Sequence, residues 1–399
     1  MSLMSFEAAK AALLERARSV AERESVDLAV AFGRVLAEPL VSTLTVPPFA
    51  NAAMDGYALR AADVPAAGTR LPVRGRAAAG DPPGILPPGA AVRIFTGAAL
   101  PEGADTVVMQ EFCEAADNDV VINLPPPRGQ YVRHAGSELR AGQTVLAAGT
   151  RLSAAALGLA ASVGIDRVTA YRRLRVAIFF TGSELRRPGE ALAPGQIYNS
   201  NRYVMRGFLD ELGAVIVDLG IVPDDREATR AALRRAAMNA DVIITSGGMS
   251  EGEEDHVIAA VRAEGRIDVW KIAAKPGKPL AFGAVGEATF IGLPGNPVSV
   301  WVGMLTLVAP FLRRCQAMER IEPPRQTLRA DFEWAVGGNR LEFVRVRRNE
   351  QGGLDRYATQ DSAIISSAVW CDGLVAVPAG ASVSPGDTVE FIPGPGWQP

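Results

Sequence analysis

Val242-Ile243-Ile244-Thr245-Ser246-Gly247-Gly248-Met249-Ser250-Glu251-Gly252-Glu253-Glu254-Asp255 decides the fold: an apolar run, a glycine pair, an acidic stretch, then apolar periodicity resuming at Val257. This order reads as strand, glycine-rich turn, helix. In an open α/β sheet such a turn lies at the carboxyl end of a strand, where backbone N–H groups and a helix N-terminus hold an anion and nearby acids hold a cation. The stretch therefore predicts chemistry on a phosphate ester.

Its neighbours repeat the order. Strands are expected at Val176 to Phe180, Val215 to Leu219, Val242 to Thr245 and Phe290 to Leu293, with helical patterns at Arg202 to Leu212, Arg226 to Ala237 and Val257 to Ala263. Such alternation predicts a doubly wound, mostly parallel α/β sheet. Upstream, short valine-rich runs from Val41 to Leu146 are cut by Pro47-Pro48, Pro82-Pro83, Pro87-Pro88 and Pro125-Pro126-Pro127, a pattern of short strands and turns. Leu152 to Val163 reads as an alanine-rich helix. Beyond Pro323-Pro324, alternation at Leu341 to Val346 and Asp387 to Ile392 predicts a small β-barrel. An N-terminal amphipathic helix carries Phe6, Ala9, Leu13, Ala17 and Val20 on one face, with Lys10, Arg16 and Arg18 largely off it; it is expected to pack on a domain it does not directly precede.

A chain of 399 residues predicts two to four domains. The net charge of -3 gives no global attraction to nucleic acid or an anionic membrane, so a small anionic ligand would need a local cationic cluster. Cys113, Cys315 and Cys371 are too scattered for a disulfide framework or thiolate metal site, and with two histidines neither a zinc centre nor a Ser-His-Asp triad is well supplied. The apolar segment Val298 to Leu312 is read as a buried helix rather than a membrane span, and a cytoplasmic location is expected.

Four loops then fall at one rim of the expected sheet. They are Thr181-Gly182-Ser183-Glu184-Leu185, Pro223-Asp224-Asp225, the Gly247-Gly248 loop ending in Asp255, and Leu293-Pro294-Gly295-Asn296-Pro297. Each has a plain reading: Asp224 or Asp225 caps the helix at Arg226, and Pro-Gly-Asn-Pro is a tight turn that pre-sets a helix start. Their placement at successive strand ends favours a site. Lys271 and Lys275, two of three lysines in Trp270 to Pro279, point to one side of an extended segment. Lysines beside an acidic rim suit an anion together with a divalent ion. Met54-Asp55-Gly56-Tyr57 lies outside this block, and Asp-Gly between apolar residues is ordinarily a hairpin turn.

Together with Phe95-Thr96-Gly97-Ala98, Gly136-Ser137-Glu138-Leu139, Gln196 to Asn201 and Lys275-Pro276-Gly277-Lys278-Pro279, these motifs resemble the MoeA family. Its members are molybdopterin molybdenumtransferases, also represented by the E domain of gephyrin. The resemblance implies four domains: a connecting domain from 28–41 and 149–165, a β-rich domain at 42–148, an α/β molybdopterin-binding domain from 1–27 and 166–322, and a C-terminal β-barrel at 323–399. It implies a homodimer whose cleft joins the α/β domain of one subunit to the β-rich domain of the other, putting Asp55 and Thr96 in the site in trans. The implied reaction takes adenylylated molybdopterin, molybdate and Mg²⁺, cleaves the pyrophosphate, releases AMP and leaves molybdenum on the dithiolene sulfurs. By position, Glu184, Asp224 and Asp255 hold metal and substrate, and Lys271 and Lys275 hold oxyanion and phosphate charge. Thr96, Glu138, Gly247, Gly248, Ser250, Lys278, Pro294, Gly295, Asn296 and Pro297 contact the ligand. Transient contacts with the adenylyltransferase and with molybdoenzyme maturation proteins follow from the same likeness. The chain departs from the family at Glu138, usually aspartate, and at Gln360-Asp361-Ser362-Ala363, which lacks the expected glycines; the roles of Ser366 or Ser367 are affected. Rival readings are the adenylyltransferase itself and a gephyrin-like dimeric scaffold.

Overall fold

Five consecutive apolar residues, Val176 to Phe180, form the middle of the protein's central sheet and are buried on both of its faces. The structure is a computed structural model that describes residues 3–248, 256–277 and 279–396. The sheet's strands are β1 (Arg175–Thr181), β2 (Val215–Val222), β3 (Val242–Ser246), β4 (Gly265–Lys271), β5 (Pro279–Val285) and β6 (Ala288–Leu293). Their spatial order is β2-β1-β3-β6-β5-β4. The first four run parallel, β5 is antiparallel to β6, and β4 is antiparallel to β5. The carboxyl ends of β1, β2, β3, β6 and β4 thus share one rim.

Helices cover both faces: α1 (Phe6–Glu15), α2 (Asn201–Glu211), α3 (Arg226–Asn239), α4 (His256–Glu264) and α5 (Pro297–Cys315). Side chains alternate along a strand, and β1 shows it: Val176, Ile178 and Phe180 enter one core with α1, α2 and α5. Ala177 and Phe179 enter a second core with α3 and α4. This is the expected doubly wound arrangement with an antiparallel edge. Helix α5 continues past the apolar run to Cys315 with a π turn at Met304–Val308. By length and composition it could cross a membrane, but 89% of its most apolar window is buried inside the protein, as in a core helix.

Helix α1, capped by Ser5, packs on this distant core through Phe6, Ala9 and Leu13. One detail departs from the helical-face reading. Lys10 is buried, not on the solvent side, because its ammonium reaches Glu322 at 2.7 Å beside the barrel.

Among the described residues four smaller cores follow, two of them on the β-rich sheet. Arg23–Asp27 pairs with Arg167–Tyr171, and the helix Ala154–Ser162 packs beside them. A six-stranded sheet orders Thr106–Met109, Gly56–Leu59, Ala91–Ile94, Thr69–Ala77, Asp119–Ile122 and Cys113–Ala116. The C-terminal strands run Leu341–Arg348, Gly373–Val377, Thr388–Pro393 and Gln326–Arg329. Leu354–Arg356 pairs back on Leu341–Arg348 and bridges to Ala330, which closes the barrel around Val344, Val346, Val375 and Phe391.

Candidate functional site

The strand ends meet closely at the carboxyl rim of the central sheet. Phe180 is in register with Ser246, and Ser246 with Leu293. The Gly247 N–H donates to the Leu293 carbonyl at 3.2 Å. Gly247 has φ +88, and a Cβ there would lie 3.1 Å from the Thr181 carbonyl oxygen, so backbone conformation and close approach both call for glycine. Asn201, at the start of α2, donates to the Ser246 hydroxyl at 3.1 Å and to the Gly295 carbonyl at 2.7 Å, tying β3 to the Pro294 to Pro297 loop.

The structure separates the two adjacent aspartates. Asp225 is the helix cap: its Oδ1 accepts from the N–H groups of Glu227 and Ala228, both at 2.9 Å. Asp224 instead accepts from the Thr181 hydroxyl at 2.9 Å. Glu184 lies over Gly182, where a Cβ would come within 2.5 Å of Oε2 and 2.6 Å of Oε1. Both exposed carboxylates therefore flank the same two residues at the end of β1. Asp255, Ser250 and Lys278 lie outside the described residues. Among the described residues, no three metal-ligating side chains cluster.

Lys271 ends β4 at this rim. Burial alternates from Lys271 to Pro276, with Ile272, Ala274 and Pro276 buried and Lys275 exposed, as expected of an extended segment. The two lysines nevertheless belong to different sheets, because Ala274–Lys275 pairs with the barrel strand. Lys275, Pro294 and Asn296 line a cleft of about 480 Å³ together with Ser299, Arg340 and Asp361. Asn296 caps α5 without a side-chain bond to the helix; its amide donates to Ser362 Oγ at 3.0 Å. Pro297 occupies the first turn of α5, where it lacks the N–H that would have no partner.

Asp55 and Thr96 come together in the β-rich sheet. Asp55 Oδ1 accepts from the Thr96 N–H at 2.8 Å and the Thr96 hydroxyl at 2.7 Å. Those two bonds, helped by nearby Arg93, hold the exposed carboxyl below its ordinary range. The Asp55-Gly56 pair is not a hairpin turn. Asn51–Ala52 pairs with Val132–Arg133, whereas Gly56–Leu59 pairs with Ala91–Ile94 and Thr106–Met109, so the bend joins two sheets. Gly56 is required by packing, since a Cβ would stand 1.8 Å from the Val108 carbonyl oxygen. Glu138 is exposed on a loop whose backbone bonds Val46, apart from the Asp55 pair. Asp55 bonds Thr96 and, through its backbone carbonyl, the Gln110 N–H, all within the β-rich part of the chain.

Arg340, Gln360, Asp361 and Ser362 enter the cleft although sequence reasoning named none of them as ligand contacts. One sequence signal did mark the region. Only Lys10, Lys271, Lys275 and Lys278 are lysines among 41 basic residues, so three of four fall within eight positions. Cysteine chemistry has no support here: burial raises the Cys113, Cys315 and Cys371 thiols to about 11, 12 and 11.

Family models match three consecutive regions: the MoeA N-terminal region (domain I and II) at 4–164, a probable molybdopterin binding domain at 177–314, and the MoeA C-terminal region (domain IV) at 327–393. The chain belongs to the MoeA family. A molybdopterin molybdenumtransferase of Haemophilus influenzae is 37% identical over 98% of each chain. One from Nostoc sp. is 38% identical over 83% of this chain and 78% of its own. Two crystal structures of molybdopterin biosynthesis MoeA proteins from Pyrococcus horikoshii align over 99% and 98% of this chain and 100% of each of theirs. Their TM-scores are 0.78 and 0.83, at 32% and 25% identity. This MoeA-family protein is thus a transferase of molybdenum cofactor biosynthesis.

Proposed function

We propose that the protein inserts molybdenum from molybdate into adenylylated molybdopterin, with Mg²⁺-dependent cleavage of the pyrophosphate. The observation that carries this reading is the shared carboxyl rim: Glu184 and Asp224 flank the end of β1, Lys271 ends β4, and the Pro294 to Pro297 loop leaves β6 for the Lys275 cleft. Hydrolysis adds one water across the P–O–P bond, giving the pterin phosphate and AMP. Molybdenum binds both dithiolene sulfurs as the two thiol protons leave with one molybdate oxygen as water.

The donor chemistry fits Mg²⁺, which is held through one or two carboxylates while keeping waters and substrate phosphates. Glu184 and Asp224, with Asp255 by family position, are the acids that would hold it, and the ion would neutralise pyrophosphate charge. The chain's own groups supply the rest: ammonium groups of Lys271 and Lys275 face anionic charge, and the glycine loop admits its backbone to the ligand. Asp55 and Thr96 would join the site from a second copy of the chain, a reading that rests on the family likeness, their own hydrogen bonds lying within the β-rich part of the chain.

The test supplies purified protein with adenylylated molybdopterin, molybdate and Mg²⁺, and follows AMP and metal-loaded cofactor. AMP release that collapses in Lys275→Ala and Glu184→Gln is expected. Absent release, or release indifferent to both changes, refutes the proposal; nucleotide transfer onto unmodified molybdopterin would favour the adenylyltransferase reading.

A further inference from the structure

Lys275 reaches the cleft from a strand that belongs to two domains at once. Ala274–Lys275 adds in parallel to the barrel strand Leu341–Arg348, with Ala274 opposite Leu341 and Lys275 opposite Glu342. The Leu341 N–H donates to the Ala273 carbonyl at 2.9 Å. On the other side, the Met4 N–H donates to the Lys271 carbonyl at 2.9 Å and the Met4 carbonyl accepts from Ala273 at 2.8 Å. Backbone bonds therefore brace the lysine segment from both flanks.

The side chains add a specific link. Glu342 Oε1 stands 3.6 Å from Lys275 Nζ, with the Glu342 side chain 11% exposed and the Lys275 side chain 50% exposed. Among the described residues, no other cation pairs with Glu342. A buried carboxylate with one half-exposed counter-ion is a poor stabilising device, because desolvation offsets most of the Coulomb gain. Its place is better explained by what it does to the lysine. The ammonium is kept within 3.6 Å of this carboxylate beside a cleft otherwise bounded by Arg340 before the same strand, Asp361 and Ser362 from the C-terminal loop, and Asn296 and Ser299 at the start of α5.

We propose that Glu342 is the positioning residue for Lys275, holding its ammonium toward the anionic group in the cleft and so making the C-terminal barrel a working part of the site. Its role in turnover rests on the reaction proposed above; the contact with Lys275 does not. Glu342 touches no reacting atom and acts only through the lysine.

Two measurements test this. In the first, the intact protein is labelled with limiting acetic anhydride at one fixed pH, and modification is quantified at each of the four lysines. Glu342→Gln is expected to speed labelling at Lys275 about threefold or more, leaving Lys10 in its buried pair with Glu322 unchanged, while Glu342→Asp labels near the wild-type rate. An unchanged Lys275 rate in Glu342→Gln overturns the proposal, as does an equal rise at Lys10 in both variants, which would mark a purely structural role. In the second, AMP release is measured in a double-mutant cycle. Glu342→Gln should lower kcat/KM about tenfold, with no further loss in the Lys275→Ala background and rescue by Glu342→Asp. Additive losses would overturn action through the lysine. Absence of AMP release by the wild type would refute the proposed reaction, and the labelling would still decide the role of Glu342.

Discussion

Replacing Asp225 with alanine removes two hydrogen bonds from the first turn of the fourteen-residue helix α3, while Asp224→Asn keeps an oxygen for the Thr181 hydroxyl and removes only a charge. The two acids are adjacent and exposed, so their consequences can be worked out separately. Loss of an aspartate cap that satisfies two N–H groups costs about 1 kcal/mol, within a range of about 0.5–2. Helix α3 packs through Thr229, Leu233 and Ala236, which the substitution leaves untouched, so that cost should appear as a fall of about 1–3 °C in the melting temperature. Turnover below the transition should stay within about twofold of wild type.

Asp224→Asn should behave in the opposite way. The Thr181 hydroxyl, on a buried residue, keeps its partner, so stability should change by no more than about 0.5 kcal/mol. If Asp224 matters as much as one pre-placed oxyanion-hole donor does, its loss should cost about 10²–10³ in kcat. The assay pairs thermal unfolding with AMP release on the same preparations. The assignment fails if Asp224→Asn retains kcat within about tenfold, or if Asp225→Ala loses as much activity as Asp224→Asn.

The remaining predictions concern protonation. Thr96→Val keeps the backbone donor to Asp55 but deletes the hydroxyl donor at 2.7 Å, so the lowered Asp55 pKa should rise toward its usual value and the acid limb of the AMP-release profile should move to higher pH. An acid limb that stays in place would count against Asp55 being ionised for turnover. Asp241 shows the structural counterpart: burial pushes its carboxyl up, but the Arg172 fork at 2.7 and 2.8 Å and the Arg175 N–H at 2.8 Å outweigh that and hold it down. A depressed folded pKa gives stability that is present above the unfolded value near 3.9 and lost as pH falls through the folded one. Asp241→Asn should therefore cost about 2 kcal/mol in urea unfolding at pH 7, with the gap to wild type narrowing in acid; an equal gap at both pH values would refute the ionic account.

Local pattern carried much of this fold. Val176 to Phe180 is an apolar run of strand length, and Val242 to Ser246 before two glycines leaves little choice but a strand that ends there. What pattern could not reach were choices settled by distant contacts. Asp224 and Asp225 are equivalent as caps until Thr181, forty-three residues away, engages one of them. The alternation that set Lys271 and Lys275 on one side was sound, yet nothing local told that the second lysine pairs with a barrel strand. Lys10 sat at a helical position that looked solvent-facing, and only Glu322 makes its burial tolerable. Asp55-Gly56 carried a hairpin signature because the dipeptide reports the bend, not the strands that flank it. The lysine distribution was legible all along: where 37 of 41 basic positions are arginine, an ammonium cluster asks for a chemical reason.

That reason bears on how the cleft is built. A guanidinium presents a planar fork and carries most of the structural pairing in this chain, as at Arg172 with Asp241 and at Arg202 and Arg206 with Asp218. An ammonium is a compact, strongly hydrated charge that can face an oxyanion without imposing bidentate geometry. It must still be kept in place, because a lysine side chain alone has ample rotamer freedom. The sheet carries Lys271 at a strand end and holds Glu184 and Asp224 in loops two or three residues past theirs, whereas Lys275 lies beyond the sheet and would lack that support. Pairing its backbone with Leu341 and Glu342 and its ammonium with the Glu342 carboxylate supplies the support from the barrel instead. Asn296 and Val298 at the start of α5 bond Ser362 at 3.0 Å each, so the same barrel also fixes the opposite wall. A barrel attached at both walls of one cleft sets its width, and a change at Glu342 or Ser362 should be felt at Lys275 before it is felt in the barrel's own core.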